Sequence, residues 1–220
     1  MNRRKLYTEH KYVSFRLSEF SRFIAKTDFS DNHSTDAVIT KFRKIKELMH
    51  GHAGHENNTI HPLLKDKGLA LSKKVEDDHH EHGSVFGYMD ELLTSIKSSP
   101  DDDDRIQSGH EYYLAFLRFE ASNLQHQEYE EKIILPELHR LYSDKEILSK
   151  VDGPVYAVMT VDHMIGMLKE LFPHFNREDK FGMLNDIRLA QPDKFSELWK
   201  DSGSFLEEND YSYLASKFYI

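Results

Sequence analysis

VEDDHHEHGSVFGYMDELLTSI, residues 75–96, is the stretch that decides the fold. Read at 3.6 residues per turn, Val75, His79, His82, Phe86, Met89, Leu93 and Ile96 step by three or four and fall on one face, which makes the segment an amphipathic helix. Three more stretches carry the same period. His10, Val13, Leu17, Phe20 and Ile24 form one seam, and Phe42, Ile45, Met49, His52 and Glu56 form another. Tyr112, Phe116, Phe119, Asn123, His126, Glu130 and Ile133 form the last. No alternating strand pattern interrupts them.

Prolines at 62, 100, 136, 154, 173 and 192, with the polar runs TDFSDNHSTD, KSSPDDDD and VDGP, divide the chain. The stretches between them lie near 9–26, 35–60, 72–97, 107–141, 154–172 and 177–190, with a short seventh near 193–200. They predict an all-α protein: an antiparallel up-down-up-down four-helix bundle over 1–145 and a helical extension over 146–220 packed on it.

Composition narrows the function. The 220 residues carry 29 basic and 38 acidic side chains, a formal charge of −9, which argues against nucleic acid as a partner. No cysteine is present, so disulfides, thiolate metal sites and cysteine nucleophiles are excluded. No apolar run approaches the about 20 residues that span a bilayer, and the basic start MNRRKLYTEH leads into no secretory signal, so a soluble, cytoplasmic protein without a membrane partner is expected. Fourteen histidines are the anomaly.

Each apolar seam is broken by histidine or carboxylate. Glutamate is rarely buried without a partner, so something inside the bundle must satisfy these groups. In an up-down-up-down arrangement His10, His52 with Glu56, His79 with His82, and His126 with Glu130 lie at one level. Imidazole and carboxylate are ligands for iron, zinc, manganese or copper, and a carboxylate can bridge two cations. His79 and His80 compete for one place, as do Glu130 and Glu131; His50, His55 and His61 lie off the seam, near the site but not expected in it. A zincin motif fails because His55-Glu56 lacks the second histidine, and the ferritin-like matches Glu47…His50 and Glu76…His79 leave the first pair off the seam. Asp101–Asp104 reads as a helix start, and His163 and His174 as structural or surface residues.

A histidine in the first helix, His52-x-x-x-Glu56, Glu81-His82 in the third, and His126-x-x-x-Glu130-Glu131 followed by KIILP together resemble the hemerythrin-like cation-binding family, over about residues 5–145. The stretch MLKELFPHFNREDKFGMLNDIRLAQPDKFSELW is similar to the helical tail of bacterial members. The resemblance implies a carboxylate-bridged, non-haem centre of two iron ions, with zinc or manganese as substitutes. His10 and His52 would then be terminal ligands of one iron, His79 or His82 with His126 would bind the other, and Glu56 and Glu130 would bridge. It further implies dioxygen or another diatomic molecule as partner, in a binder or sensor more than an enzyme. The departures are histidines three apart in the third helix, where hemerythrin has four, and glutamate where hemerythrin ends with aspartate. Peroxide or nitric oxide chemistry, and a metal-responsive interaction module, are the alternatives.

Overall fold

The structure is a computed structural model that describes residues 5–68 and 70–219; among them every regular element is helical. No helix among the described residues is long and apolar enough to cross a membrane. The chain divides into two compact units, one spanning Val13–Ile134 and the other joining the segment that ends at Tyr12 to the chain from Leu135 onward.

The Val13–Ile134 unit contains most of α1 (His10–Ile24), then α2 (Asn32–His55), the short α3 (His61–Lys65), α4 (Leu71–Ser98) and α5 (Asp102–Tyr129). Its core is the set of seams read from the sequence. Phe42 of α2 meets Phe20 of α1, Phe86 of α4 and Tyr112 of α5 at ring separations of 6.1, 5.7 and 5.7 Å, and Val13, Leu17, Val38, Met89 and Phe116 are buried with them. Tyr112 has no exposed surface, and burial holds its phenol well above its ordinary pKa. Gly109 is required here, because a Cβ at that position would stand 2.3 Å from the Phe29 ring.

Helix starts follow local chemistry. Asp31 caps α2 by accepting from the His33 and Ser34 amides. Asp101 caps α5 in the same way, with Asp102, Asp103 and Asp104 in the positive first turn. α5 therefore begins in the acid run read as a helix start, five residues before the periodic stretch expected near 107. The acid run has no apolar seam for periodicity to detect, yet it suits a helix N-terminus.

The second correction concerns helix ends. Glu56–Ile60 and Glu130–Ile134 are π-helical turns, each with one residue more than an α-turn. In the first, the His61 amide donates to Glu56 O, the i to i−5 bond of a π-turn. Pro62 and Pro136 lie six residues after Glu56 and Glu130. Neither has an N–H for the carbonyl four residues back, so the α-ladder is broken there and the extra residue is accommodated. The turn also shifts the seam: Ile133, expected inside, is 43% exposed, and Ile134 is fully buried.

The other unit contains α6 (Leu135–Leu141), α7 (Asp144–Lys150), α8 (Asp152–Val158), α9 (Val161–Leu171), α10 (Arg177–Ala190), α11 (Pro192–Lys200) and α12 (Glu208–Phe218). The stretch expected as one helix over 154–172 is two, because Met159 is extended and the Thr160 side chain caps α9 by accepting from the His163 amide at 3.2 Å. Lys194 closes the end of α8, donating to the carbonyls of Tyr156, Ala157 and Met159. Phe195, Trp199 and Phe218 pack as an aromatic cluster, and α12, which supplies Phe218, has too sparse a seam to be read from sequence. Buried charges are closed by their own partners: Asp179 accepts from Lys5 and Lys11, and Asp210 from Arg177 and Lys180. His163 is exposed, and His174 lies 5.4 Å from the Tyr12 ring, both as structural or surface groups.

Candidate metal centre

Two parallel turns build the site. His52 lies in the last turn of α2, one turn before Glu56, and His126 in the last turn of α5, one turn before Glu130; each glutamate is the first residue of its π-turn. His79 projects from α4. Glu56 and Glu130 have no exposed surface, while His52 and His126 are 8% and 2% exposed. His52 Nε2 lies 3.2 Å from Glu56 Oε1, and His126 Nε2 lies 3.4 Å from Glu130 Oε2. His79 Nε2 reaches Glu56 Oε2 at 3.3 Å and His126 Nε2 at 3.0 Å.

These residues form two overlapping ligand groups. Glu56, His79, His126 and Glu130 each place a ligand atom within 4.8 Å of all the others, and so do His52, Glu56 and Glu130. Both glutamates belong to both groups, the position a bridging carboxylate requires.

Hydrogen bonds around the rim fix which ring nitrogens carry protons. His126 Nδ1 donates to Asp78 Oδ2 at 3.2 Å, and His79 Nδ1 donates to Asn57 Oδ1 at 3.2 Å. In the neutral tautomers the two Nε2 lone pairs therefore face each other and the two carboxylates. Burial pushes the Asp78 carboxyl up, but hydrogen bonds from Lys74 and His126 outweigh it and hold the group below its ordinary pKa, so it stays an acceptor. Burial lowers the His126 pKa and outweighs the opposing pull of Glu130. Lone pairs and carboxylates that converge away from water repel unless positive charge stands between them. The donor set, imidazole nitrogen and carboxylate oxygen without thiolate, fits iron, zinc or manganese.

The structure brings together His52, Glu56, His79, His126 and Glu130 from the expected set. Glu130 is buried and Glu131 exposed; His79 takes part and His80 is exposed. His82 stands apart from both ligand groups. Its Nε2 lies 3.3 Å from Ser122 Oγ, and its ring packs edge-on to Phe119 at 5.1 Å. Burial, then His126 and His79, lower its pKa to about 4. His10, in the segment that ends at Tyr12 and belongs to the unit with Leu135 onward, is 3% exposed at the start of α1 and stacks on Tyr7 at 4.9 Å. Tyr7 itself holds a left-handed backbone, φ 66°.

The sequence reading left out Asn57 and Asp78 and placed His61 outside the ligand set. His61 has no exposed surface, and its Nε2 lies 3.8 Å from Glu130 Oε1. An α-helix would turn residue 61 off the seam, but the π-turn brings it round to the site. Pro62 after His-x-x-x-Glu was the available signal. An open pocket of about 450 Å³, lined by His50, Gly54, Asn57, Lys65, His79 and His80 among others, leads from solvent to His79.

Among known families, the model described as the hemerythrin HHE cation binding domain matches residues 2–138, more than half of the chain. No curated protein and no solved structure matches it.

Proposed function

The chain belongs to the hemerythrin HHE cation-binding family, and on that premise we propose that it is a non-haem di-iron protein that binds dioxygen or a related diatomic molecule, or reports iron and oxygen status. The observation that carries this reading is the pair of buried glutamates shared by two histidine-containing ligand groups. In the proposed arrangement α1, α2, α4 and α5 form the up-down-up-down bundle. Iron held there would supply reversible one-electron chemistry and an open coordination position.

The chain's own residues perform the rest. Glu56 and Glu130 would be shared by the two cations, and His52, His79 and His126 would hold them through imidazole nitrogen. Asp78 and Asn57 hold a proton on Nδ1, leaving Nε2 as the ligating nitrogen, and orient the rings, the role that carboxylate and carbonyl partners of metal-bound histidines commonly have. Met49, Phe86 and Phe119 pack nearby as apolar walls that limit water. His10 enters as a terminal ligand from the sequence pattern alone. The polar pocket leading to His79 favours one second reading, in which the same centre turns over peroxide.

Anaerobic reconstitution with ferrous iron tests the proposal. Two tightly bound irons per chain are expected, with a visible band that appears on exposure to air. Loss of that band on removing oxygen marks a carrier or sensor, and catalytic loss of added peroxide marks the second reading. Glu56→Ala and Glu130→Ala should each lose one iron or both; two irons retained in both variants would reject bridging. His10→Ala with full iron content would remove His10 from the ligand set.

A further inference from the structure

We propose that His61 is a metal ligand and that Asn57, by accepting from two imidazoles at once, orients it together with His79. The proposal rests on the metal-centre reading and adds to it a donor that the family pattern does not mark.

Asn57 is the first clue. Its Oδ1 lies 3.0 Å from His61 Nδ1 and 3.2 Å from His79 Nδ1. An amide oxygen only accepts, so both rings carry a proton on Nδ1, which makes Nε2 the nitrogen each can offer to a metal. The rings are held as a near-parallel pair, 5.6 Å apart at 22°. One Nε2 of the pair points at Glu56 and the other at Glu130. A single side chain thus presets two imidazoles toward both carboxylates.

Geometry separates a ligand from a hydrogen bond. His61 Nε2 lies 3.8 Å from Glu130 Oε1, too far for a hydrogen bond. A nitrogen and an oxygen each about 2.0–2.2 Å from one cation stand roughly 3–4 Å apart, and the observed separation lies in that range. Burial argues the same way, since His61 has no exposed surface and its Nε2 no hydrogen-bond partner among the described residues. Glu76 lies 3.9 Å from His61 Nδ1 and is paired to Lys65 at 2.7 Å. His82, expected as a ligand from the third helix, directs its Nε2 to Ser122, so His61 supplies the imidazole that His82 does not.

The test uses the full chain loaded anaerobically with ferrous iron and, separately, with cobalt(II) as a spectroscopic probe. Metal affinity is read by chelator competition, histidine ligands are counted by X-ray absorption, and the melting temperature of the metal-free protein is recorded. His61→Ala should weaken one of the two metals tenfold or more and lower the histidine count. Asn57→Leu should weaken binding about 10- to 100-fold, the range for lost partners of metal-bound histidines. Asn57→Asp keeps an acceptor for both Nδ1–H groups and should stay within a few-fold of wild type. Asn57 is exposed, so its two variants carry the test should His61→Ala fail to fold. A melting temperature lowered by His61→Ala with affinity and histidine count unchanged would overturn the proposal and make His61 structural. Equal affinities of Asn57→Leu and Asn57→Asp would overturn the role of Asn57. A wild-type chain that binds no metal rejects the centre itself, whereas two metals held equally by wild type and His61→Ala reject only this inference.

Discussion

The two compact units bury charge in opposite ways. The unit containing Leu135 onward gives every buried carboxylate described above a cationic partner from its own chain: Asp179 has Lys5 and Lys11, and Asp210 has Arg177 and Lys180. The Val13–Ile134 unit buries Glu56 and Glu130 against imidazoles, with His52 and His79 beside the first and His126 and His61 beside the second. A buried ion pair is complete on folding. A cluster of imidazoles and carboxylates is a ligand set that a cation can enter, so the comparison sets charges that build a fold beside charges that can build a site.

Metal removal is the largest expected effect. At metal concentrations about 1,000-fold above Kd, binding adds roughly 4 kcal/mol of stability, and chelation withdraws it. Hydrogen exchange should then rise in the turns around Glu56 and Glu130 and stay unchanged around Asp179 and Asp210. Equal acceleration in both units would break the comparison. Next in size is Asp210→Ala, which leaves Lys180 with its charge buried and should cost about 3 kcal/mol in denaturant unfolding, with metal content unaltered.

Acid should separate the units by pH window. The His82 pKa is about 4 in the folded chain against 6.5 ordinarily, so the unfolded chain takes up that proton first. Its contribution is neutral above 6.5, and stability of the metal-free protein is lost as pH falls from 6.5 towards 4. The Asp179 and Asp210 pKa values are lowered instead. Burial raises the first, but Lys11 and Lys5 outweigh it; Lys180 and Arg177 lower the second. Their stabilisation is present above 3.8 and lost only below it. Melting temperatures from pH 7 to 3, compared with His82→Phe, check the order, and a flat profile between 6.5 and 4 would remove the histidine contribution.

What was legible follows the same division. The seams of α1, α2, α4 and α5 are long and periodic, so the helices and the level of His52, Glu56, His79, His126 and Glu130 could be read directly. His61 could not, because periodicity assumes 3.6 residues per turn and the π-turn before Pro62 breaks that assumption. Asn57 and Asp78 were hidden for another reason: a residue that orients a ligand lies off the apolar face and leaves no trace in the period. The boundary between α8 and α9 rests on Thr160 as a cap, a single side chain beside no glycine or proline.

The smallest effect tests how far the site is preformed. Gly51 lies within α2, one residue before His52, and a Cβ there would meet nothing within 4 Å. Close helix approach is therefore not its purpose, unlike Gly109 beside Phe29. Replacing it by alanine should add up to about 1 kcal/mol of helix stability without a clash. Where the gain appears is informative. If the last turn of α2 frays without metal and is ordered by it, Gly51→Ala prepays that ordering and tightens metal binding by up to about fivefold, the factor that 1 kcal/mol converts to. If the turn is already ordered, the melting temperatures of the metal-free and loaded proteins rise together and affinity is unchanged. The first outcome is expected, because the last turn of α2 carries His52 and leads into Glu56, two groups the metal would hold, and titration of both forms with cobalt(II) decides between them.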